Sequence, residues 1–347
     1  MKKIFTWILK FAVAAALTLL FIEVFFRYSE LFLPSIILDD PKLGMLRKPN
    51  AQIFQLFEGF CMGDVNQYGY YGPGYPPSRD SNSIRIALIG DSYVQGIELF
   101  DRYHFRNLLE KKLSAYTGRK VEVLNFGRGG IDMRGEYSSY KYITSDYNPD
   151  FTLFFIDNFD LMGKDDKPGP DYTLRNDSLI INYDFVNSEE FKSRTNYKFL
   201  RLTSFGNLLK RAYEYYELGA LPVYTLGKLY PWPANDVNVQ EVQKNDTDLY
   251  LNINSSVIKD LGSVNVGAVP KNIAIKIEKY PDYYDGIMRK YNLPVYDLAA
   301  YFDARTKSGE KLNYWKATNF YEHWNHEGHE AAAEFLFNVI KPFINRK

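Results

Sequence analysis

Residues Ile84 to Gly96 read Ile-Arg-Ile-Ala-Leu-Ile-Gly-Asp-Ser-Tyr-Val-Gln-Gly, an apolar run that breaks into Gly90, Asp91 and Ser92. Such a run is what a buried strand looks like when its carboxyl end delivers a side chain to the edge of a parallel sheet, and here that side chain is the Ser92 hydroxyl. A serine attacks a carbonyl only if a base takes its proton and donors receive the oxyanion that develops. Three other stretches hold groups of that kind. His323-Trp324-Asn325-His326-Glu327-Gly328-His329 precedes an Ala-rich helical pattern, while Asn125-Phe126-Gly127-Arg128-Gly129-Gly130 and Asp157-Asn158 each follow an apolar run.

The elements between these stretches must bring them together. Phe105 to Tyr116 carries apolar residues at helical spacing, Val121 to Leu124 reads as the next strand, Tyr137 to Tyr147 as a helix and Phe151 to Ile156 as a third strand. Strands alternating with helices at this spacing predict a parallel, doubly wound sheet, whose ligands bind beyond the carboxyl ends of the strands. Ser92, Gly130 and Asn158 are expected to emerge at that edge. A polar, Tyr-rich insertion at about 163–256 interrupts the pattern. Within it, Phe199 to Tyr216 has helical spacing and Lys228-Leu229-Tyr230-Pro231-Trp232-Pro233 reads as a lid or substrate loop. The alternation resumes with Val264 to Val269 or Asn272 to Ile277 as fourth strand, Asp282 to Tyr291 as a helix and Leu293 to Tyr296 as fifth strand. Glu327 to Ile340 is a closing amphipathic helix with Ala331, Ala332, Phe335, Leu336 and Val339 inward.

Gly-Asp-Ser, a later glycine, an asparagine and a late histidine in that order resemble the SGNH/GDSL hydrolase family, over about two thirds of the chain from Ile84 onward. The resemblance implies a flavodoxin-like three-layer α/β fold with a parallel sheet. It implies Ser92 as nucleophile, Gly130 and Asn158 as oxyanion donors beside the Ser92 N–H, and His323 as base. Two departures stand out. The third block, usually Gly-x-Asn-Asp, reads Asp157-Asn158-Phe159, and the acid that usually lies three residues before the histidine is replaced by Phe320. Glu322, next to His323, and Asp297, after the fifth strand, are the carboxylates left as possible acids. The expectation is a Ser92–His323 dyad, with the other imidazole nitrogen held by a backbone carbonyl or water. Asp91 is expected to fix the turn, and Asn125 and Asn325 to hold loops around the site.

His323, His326 and His329 recur every three residues, whereas zinc-binding helices place two histidines four apart; no Cys cluster accompanies them, so neither metal nor cofactor is expected. Lys and Arg total 42 against 42 Asp and Glu, and a net charge of zero gives no electrostatic reason to expect nucleic acid. The single Cys61 excludes an intramolecular disulfide.

Residues 1–26 are apolar enough to cross a hydrocarbon core of roughly 30 Å, with Lys2, Lys3 and Lys10 at the amino end, the side assigned to the cytoplasm. A cleaved signal peptide is the competing reading. Its only small-residue pattern, Ala12-Val13-Ala14, lies inside the apolar run, which favours a retained anchor with the globular domain on the extracytoplasmic side. Residues 27–82, rich in Pro, Gly and Tyr, read as a juxtamembrane stalk lying on the domain formed by 83–347. The segments Asp40-Pro41-Lys42-Leu43-Gly44, Lys48-Pro49-Asn50 and Asn66-Gln67-Tyr68-Gly69 are similar to those of membrane-anchored SGNH proteins associated with envelope polysaccharides.

Overall, the resemblance implies an esterase or acyl-transfer enzyme acting on a small acyl ester, such as an O-acetyl group of an envelope glycan. Hydrolysis and transfer share the acyl-enzyme and are not distinguished. A non-catalytic glycan-binding or assembly protein that keeps the fold is the rival reading, supported by Phe320 and the altered third block.

Overall fold

The computed structural model describes residues 2–29, 37–55, 58–162, 169–176, 178–189, 191–192, 203–217 and 244–344. They belong to two compact units, one formed by Met1–Ile37 and Glu189–Asp236, the other by Leu38–Ser188 and Val237–Lys347.

The larger unit is built on five strands, β1 (Ile84–Ile89), β2 (Val121–Asn125), β3 (Phe151–Ile156), β4 (Asn272–Lys276) and β5 (Val295–Asp297). All four pairings are parallel and the order is β5-β4-β3-β1-β2. This is the doubly wound α/β sheet expected, of flavodoxin-like order, with a switch point beside β1. The central strands are largely apolar because both faces are covered, with Arg85 and Glu122 paired to each other on neighbouring strands. Along β1, Ile84, Ile86 and Leu88 enter one core with Phe105, Leu109, Leu336 and Ile340. Ala87 and Ile89 enter the opposite core with Met133, Tyr137, Val257 and Met288.

Helix Phe105–Thr117 starts where the His104 side chain accepts from Arg106 N–H and ends at Gly118, whose φ of 65° suits glycine. It packs against the closing helix, His326–Ile344. The fourth strand is Asn272–Lys276 rather than Val264–Val269. Helix Lys244–Ser263 runs up to that stretch, Val266 is exposed, and the Asn265 side chain ties the turn to the backbones of Asn272 and Asn292. That helix also buries Ile253, Val257, Ile258 and Leu261 in the second core, so the end of the polar insertion serves as the crossover from β3 to β4. Lys228 to Pro233 and Phe199 lie outside the described residues. A helix the sequence patterning did not flag, Leu298–Lys307, follows β5.

Residues from Leu38 to Asn82 are part of this same unit. Within this arm, Gln52–Gln55 pairs antiparallel with Cys61–Asp64, and Ile53, Cys61, Val65 and Tyr71 are buried. Arg128 donates to the Leu43 carbonyl, and the Tyr71 hydroxyl to that of Leu99. The hairpin turn of the arm carries Glu58.

In the smaller unit, Lys2–Tyr28 is one helix, long and apolar enough to cross a membrane, with a mean hydropathy of 2.2. Near its carboxyl end Glu23 pairs with Arg27 and accepts the N–H groups of Ser204 and Phe205, which open helix Ser204–Glu217.

Candidate active site

At the end of β1 the chain turns sharply. A Cβ on Gly90 would lie 2.4 Å from Val94 Cγ2, so only glycine fits. The Asp91 carboxylate accepts from Tyr93 N–H at 2.9 Å and opens a single helical turn, Ser92–Gln95, that Gly96 closes at φ 54°. Ser92 is the first residue of that turn and remains partly exposed. Its Oγ lies 2.8 Å from His323 Nε2 and 3.3 Å from Asp91 Oδ2.

His323 stands on a loop held from several sides. Trp315 Nε1 donates to its carbonyl, and Asn325 ties the loop down by donating to the carbonyls of Lys311 and Tyr314 and accepting from Gly328 N–H. Tyr93 packs against the imidazole with ring centroids 4.9 Å apart.

The other imidazole nitrogen is not left to a carbonyl or water. Nδ1 of His323 lies 2.7 Å from Glu58 Oε1, and Glu58 also accepts from the His323 N–H at 3.3 Å. Thr318 anchors the turn by donating to the Glu58 carbonyl. An ionised carboxylate only accepts, so in the neutral ring Nδ1 carries the hydrogen and Nε2 is left to accept from Ser92. The expected dyad is thereby corrected to a three-membered chain. Asp297, one of the acids considered, is exposed and caps helix Leu298–Lys307 through the Ala300 N–H. Glu322, the other, is exposed and acts on His323 only as a nearby charge.

Glu58 escaped sequence reasoning because it lies 265 residues from His323 in an arm without periodicity. The one local clue is Gly59. A Cβ there would meet Glu98 O and Trp315 Cζ3, each at 2.3 Å, so the residue after Glu58 must be glycine for the arm to reach the histidine loop.

The candidate oxyanion groups are set by the turns after β2 and β3. Asn125, buried at the end of β2, accepts from Gly127 N–H and donates to the Gln95 carbonyl. The loop passes so close to the Ser92 turn that a Cβ on Gly127 would lie 2.2 Å from Gln95 N, and one on Gly129 would lie 3.5 Å from Ser92 Cβ. Gly130 adopts φ 73°, which glycine accommodates without strain. After β3, Asp157 and Asp160 each accept the other's N–H, at 2.7 and 2.8 Å, and the turn they close presents Asn158, exposed, as the first residue of helix Asn158–Met162.

Burial disfavours a charged imidazole, but the hydrogen bond to Glu58 and the fields of Glu98, Glu58 and Glu322 outweigh it and push His323 up to about 9. Burial, then the neighbouring Asp157 charge, push Asp91 up to about 6. Behind it, burial and mutual repulsion also raise Glu136 and Asp160.

Of the other histidines, His326 packs edge-on against Tyr103, while His329 is buried and accepts from Phe105 N–H, so the three do not converge as metal ligands. Glu58, Glu98 and His323 offer three ligand atoms within 4.8 Å of one another. An ion there would take the place of the proton that His323 Nδ1 shares with Glu58.

No family model and no curated protein matches the chain. Among solved structures it is similar to a lipase/acylhydrolase from Enterococcus faecalis, with 15% identity, a TM-score of 0.38 and coverage of 75% of this chain and 96% of that one. It is also similar to an acetyl xylan esterase, with 16% identity, a TM-score of 0.37 and coverage of 74% and 100%. A third is a two-domain esterase active on acetylated mannans, with 13% identity, a TM-score of 0.37 and coverage of 76% and 50%.

Proposed function

We propose that the chain is a serine ester hydrolase of SGNH type, carried on a membrane by its N-terminal helix. The observation that supports it is one hydrogen-bonded line, Ser92 Oγ to His323 Nε2 at 2.8 Å and His323 Nδ1 to Glu58 Oε1 at 2.7 Å. That is the nucleophile, base and orienting acid an ester cleavage requires.

Ser92 Oγ attacks the ester carbonyl as His323 Nε2 takes its proton, and Glu58 stabilises the imidazolium. The N–H groups of Ser92 and Gly130 with the Asn158 amide receive the oxyanion. His323 then returns the proton to the departing alkoxide, and water, or an acceptor alcohol in transfer, releases the acyl group by the reverse sequence. A small acyl ester, such as O-acetyl on an envelope glycan, is the substrate class that the resemblance implies. The basic residues Lys2, Lys3 and Lys10 at the amino end of the helix favour a site on the extracytoplasmic side. The rival scaffold reading drew on the missing acid at position 320, and the presence of Glu58 on His323 weakens it.

The test is covalent labelling of the full chain in detergent with a fluorophosphonate, read by intact mass. One adduct is expected, lost in Ser92→Ala while the thermal unfolding temperature stays within about 2 °C, because a partly exposed hydroxyl contributes little packing. Labelling that persists in Ser92→Ala moves the chemistry to another residue.

A further inference from the structure

His323 is faced by two carboxylates, and only one of them hydrogen-bonds it. Glu98, two residues after the Gly96 that closes the Ser92 turn, is 4% exposed, and its Oε1 lies 3.9 Å from His323 Nδ1. Its Oε2 is buried and accepts no hydrogen bond from the described residues. A buried carboxylate with an empty acceptor is costly to keep, and well-packed alternatives of similar volume exist at most such positions. The position is not loosely built. The Glu98 carbonyl is one of the two groups that restrict residue 59 to glycine, so the segments bearing Glu58 and Glu98 are packed directly against each other.

We infer that Glu98 is a positioning residue for the proposed base, a second carboxylate that shares the imidazolium charge of His323 with Glu58 and stands in at Nδ1 when Glu58 is lost. This rests on the reading of Ser92 and His323 as nucleophile and base. When Nε2 takes the serine proton, the new positive charge lies within a few ångströms of two buried carboxylates, where attraction is far stronger than in water. The charged and titratable groups that face Glu98 are His323 and Glu58, with Arg47 and Cys61 from the arm. Burial, then the balance between His323, which favours the anion, and Glu58, which opposes it, push Glu98 up to about 7. Below that pH it is neutral and adds little to the hold on the imidazolium. Above it the anion raises the affinity of His323 for its proton. Removing Glu98 therefore moves the deprotonation of His323 to lower pH and weakens the transition state at the same time.

The experiment measures kcat and kcat/KM for p-nitrophenyl acetate with the full chain in detergent, from roughly pH 5 to 10. Wild type, Glu98→Gln, Glu58→Gln and the double variant are compared. In Glu98→Gln the acid limb of kcat/KM is expected about half a pH unit or more lower, with kcat on the plateau reduced roughly threefold to tenfold. The double variant is expected about tenfold or more below Glu58→Gln, because the stand-in is gone. A limb and plateau unchanged in Glu98→Gln, or a double variant equal to Glu58→Gln, overturns the inference. A residue that only holds the fold would lower the unfolding temperature without moving the limb. If Glu98→Gln does not fold, Glu98→Met makes the same charge deletion with an apolar side chain and is read by the same two criteria. Retained esterase activity in Ser92→Ala would sink the underlying reading. An inactive Ser92→Ala beside an unchanged Glu98→Gln would sink only the role of Glu98.

Discussion

In the proposed mechanism the chemistry turns on Glu58. Its carboxylate lies 2.7 Å from His323 Nδ1, where it would orient the ring and hold the charge that forms if Ser92 gives its proton to Nε2. Glu58→Gln should therefore lower kcat by about a hundredfold or more, since an amide can no longer stabilise the imidazolium. Glu322→Gln and Asp297→Asn should each cost less than about tenfold, or roughly 1.4 kcal/mol of barrier, because one is a nearby charge and the other a helix cap. Steady-state kinetics on the three variants decides the order. A loss in Asp297→Asn as large as that in Glu58→Gln would remove Glu58 from its role. With His323 raised to about 9, wild-type kcat/KM should still be climbing between roughly pH 7 and 9, because the base works only in its neutral form.

At the scale of elements, the site is a meeting of three short turns at the carboxyl edge of the sheet with an arm that comes before the sheet in the chain. The turns after β1 and β2 depend on close backbone approach. Gly127→Ala would drive a methyl into Gln95 N, and it should cost about 1–3 kcal/mol of stability and reduce turnover, read by thermal unfolding and kinetics on the same preparation. The proposed site also depends on the arm, which brings Glu58 to His323. A chain begun at Ser83 keeps Ser92 and His323 but lacks Glu58 and uncovers the surfaces that Ile53, Cys61 and Tyr71 cover. Its fluorophosphonate labelling rate should fall about a hundredfold or more below that of a chain begun at Leu38. Equal rates in the two truncations would show that the arm is dispensable.

Across the whole molecule, buried titratable groups set opposing responses to pH. His104 and His329 are buried neutral in the layer between helices Phe105–Thr117 and His326–Ile344. Burial holds His104 down to about 3 and His329 well below its usual value. The unfolded chain binds protons at these positions below about pH 6.5 and the folded chain does not, so stability falls as pH drops from there toward 3, by up to about 1.4 kcal/mol per pH unit per group. Glu136 works in the other direction. It is fully buried, neither of its oxygens accepts a hydrogen bond from the described residues, and its raised pKa means that ionisation is resisted in the folded state. Its cost appears as pH rises above about 4.5, the unfolded value. Glu136→Gln should therefore raise the unfolding temperature at pH 8 and leave it nearly unchanged at pH 4. A variant less stable at both pH values would refute the assignment of a strained, proton-retaining carboxyl.

What could be read from the chain alone was what short-range patterning controls. Ile84 to Ile89 announces a strand buried on both faces because every residue in it is apolar or, like Arg85, carries a long aliphatic stem. The order of strands and helices from there to Ile344 points to a parallel, doubly wound sheet, since consecutive strands joined through a helix run parallel. Ser92, Asn125, Asp157 and Asn158 stood out because each follows such a run, and His323 because it precedes a helical one. Boundaries were less legible where two patterns compete, as at Val264 to Val269, whose β-branched residues form a turn because helix Lys244–Ser263 consumes the chain before them. The acid was decided only by tertiary structure. Apart from Gly59, nothing near Glu58 is a clue, and Gly59 does not point to a histidine 265 residues away, because the contact is made by an arm whose own sequence has no period and whose path is set by what it covers. Glu98 is the same case at shorter range. Its carboxylate lies beside Glu58 and His323 only because Gly59 lets two backbone segments pass at a distance that no side chain would allow.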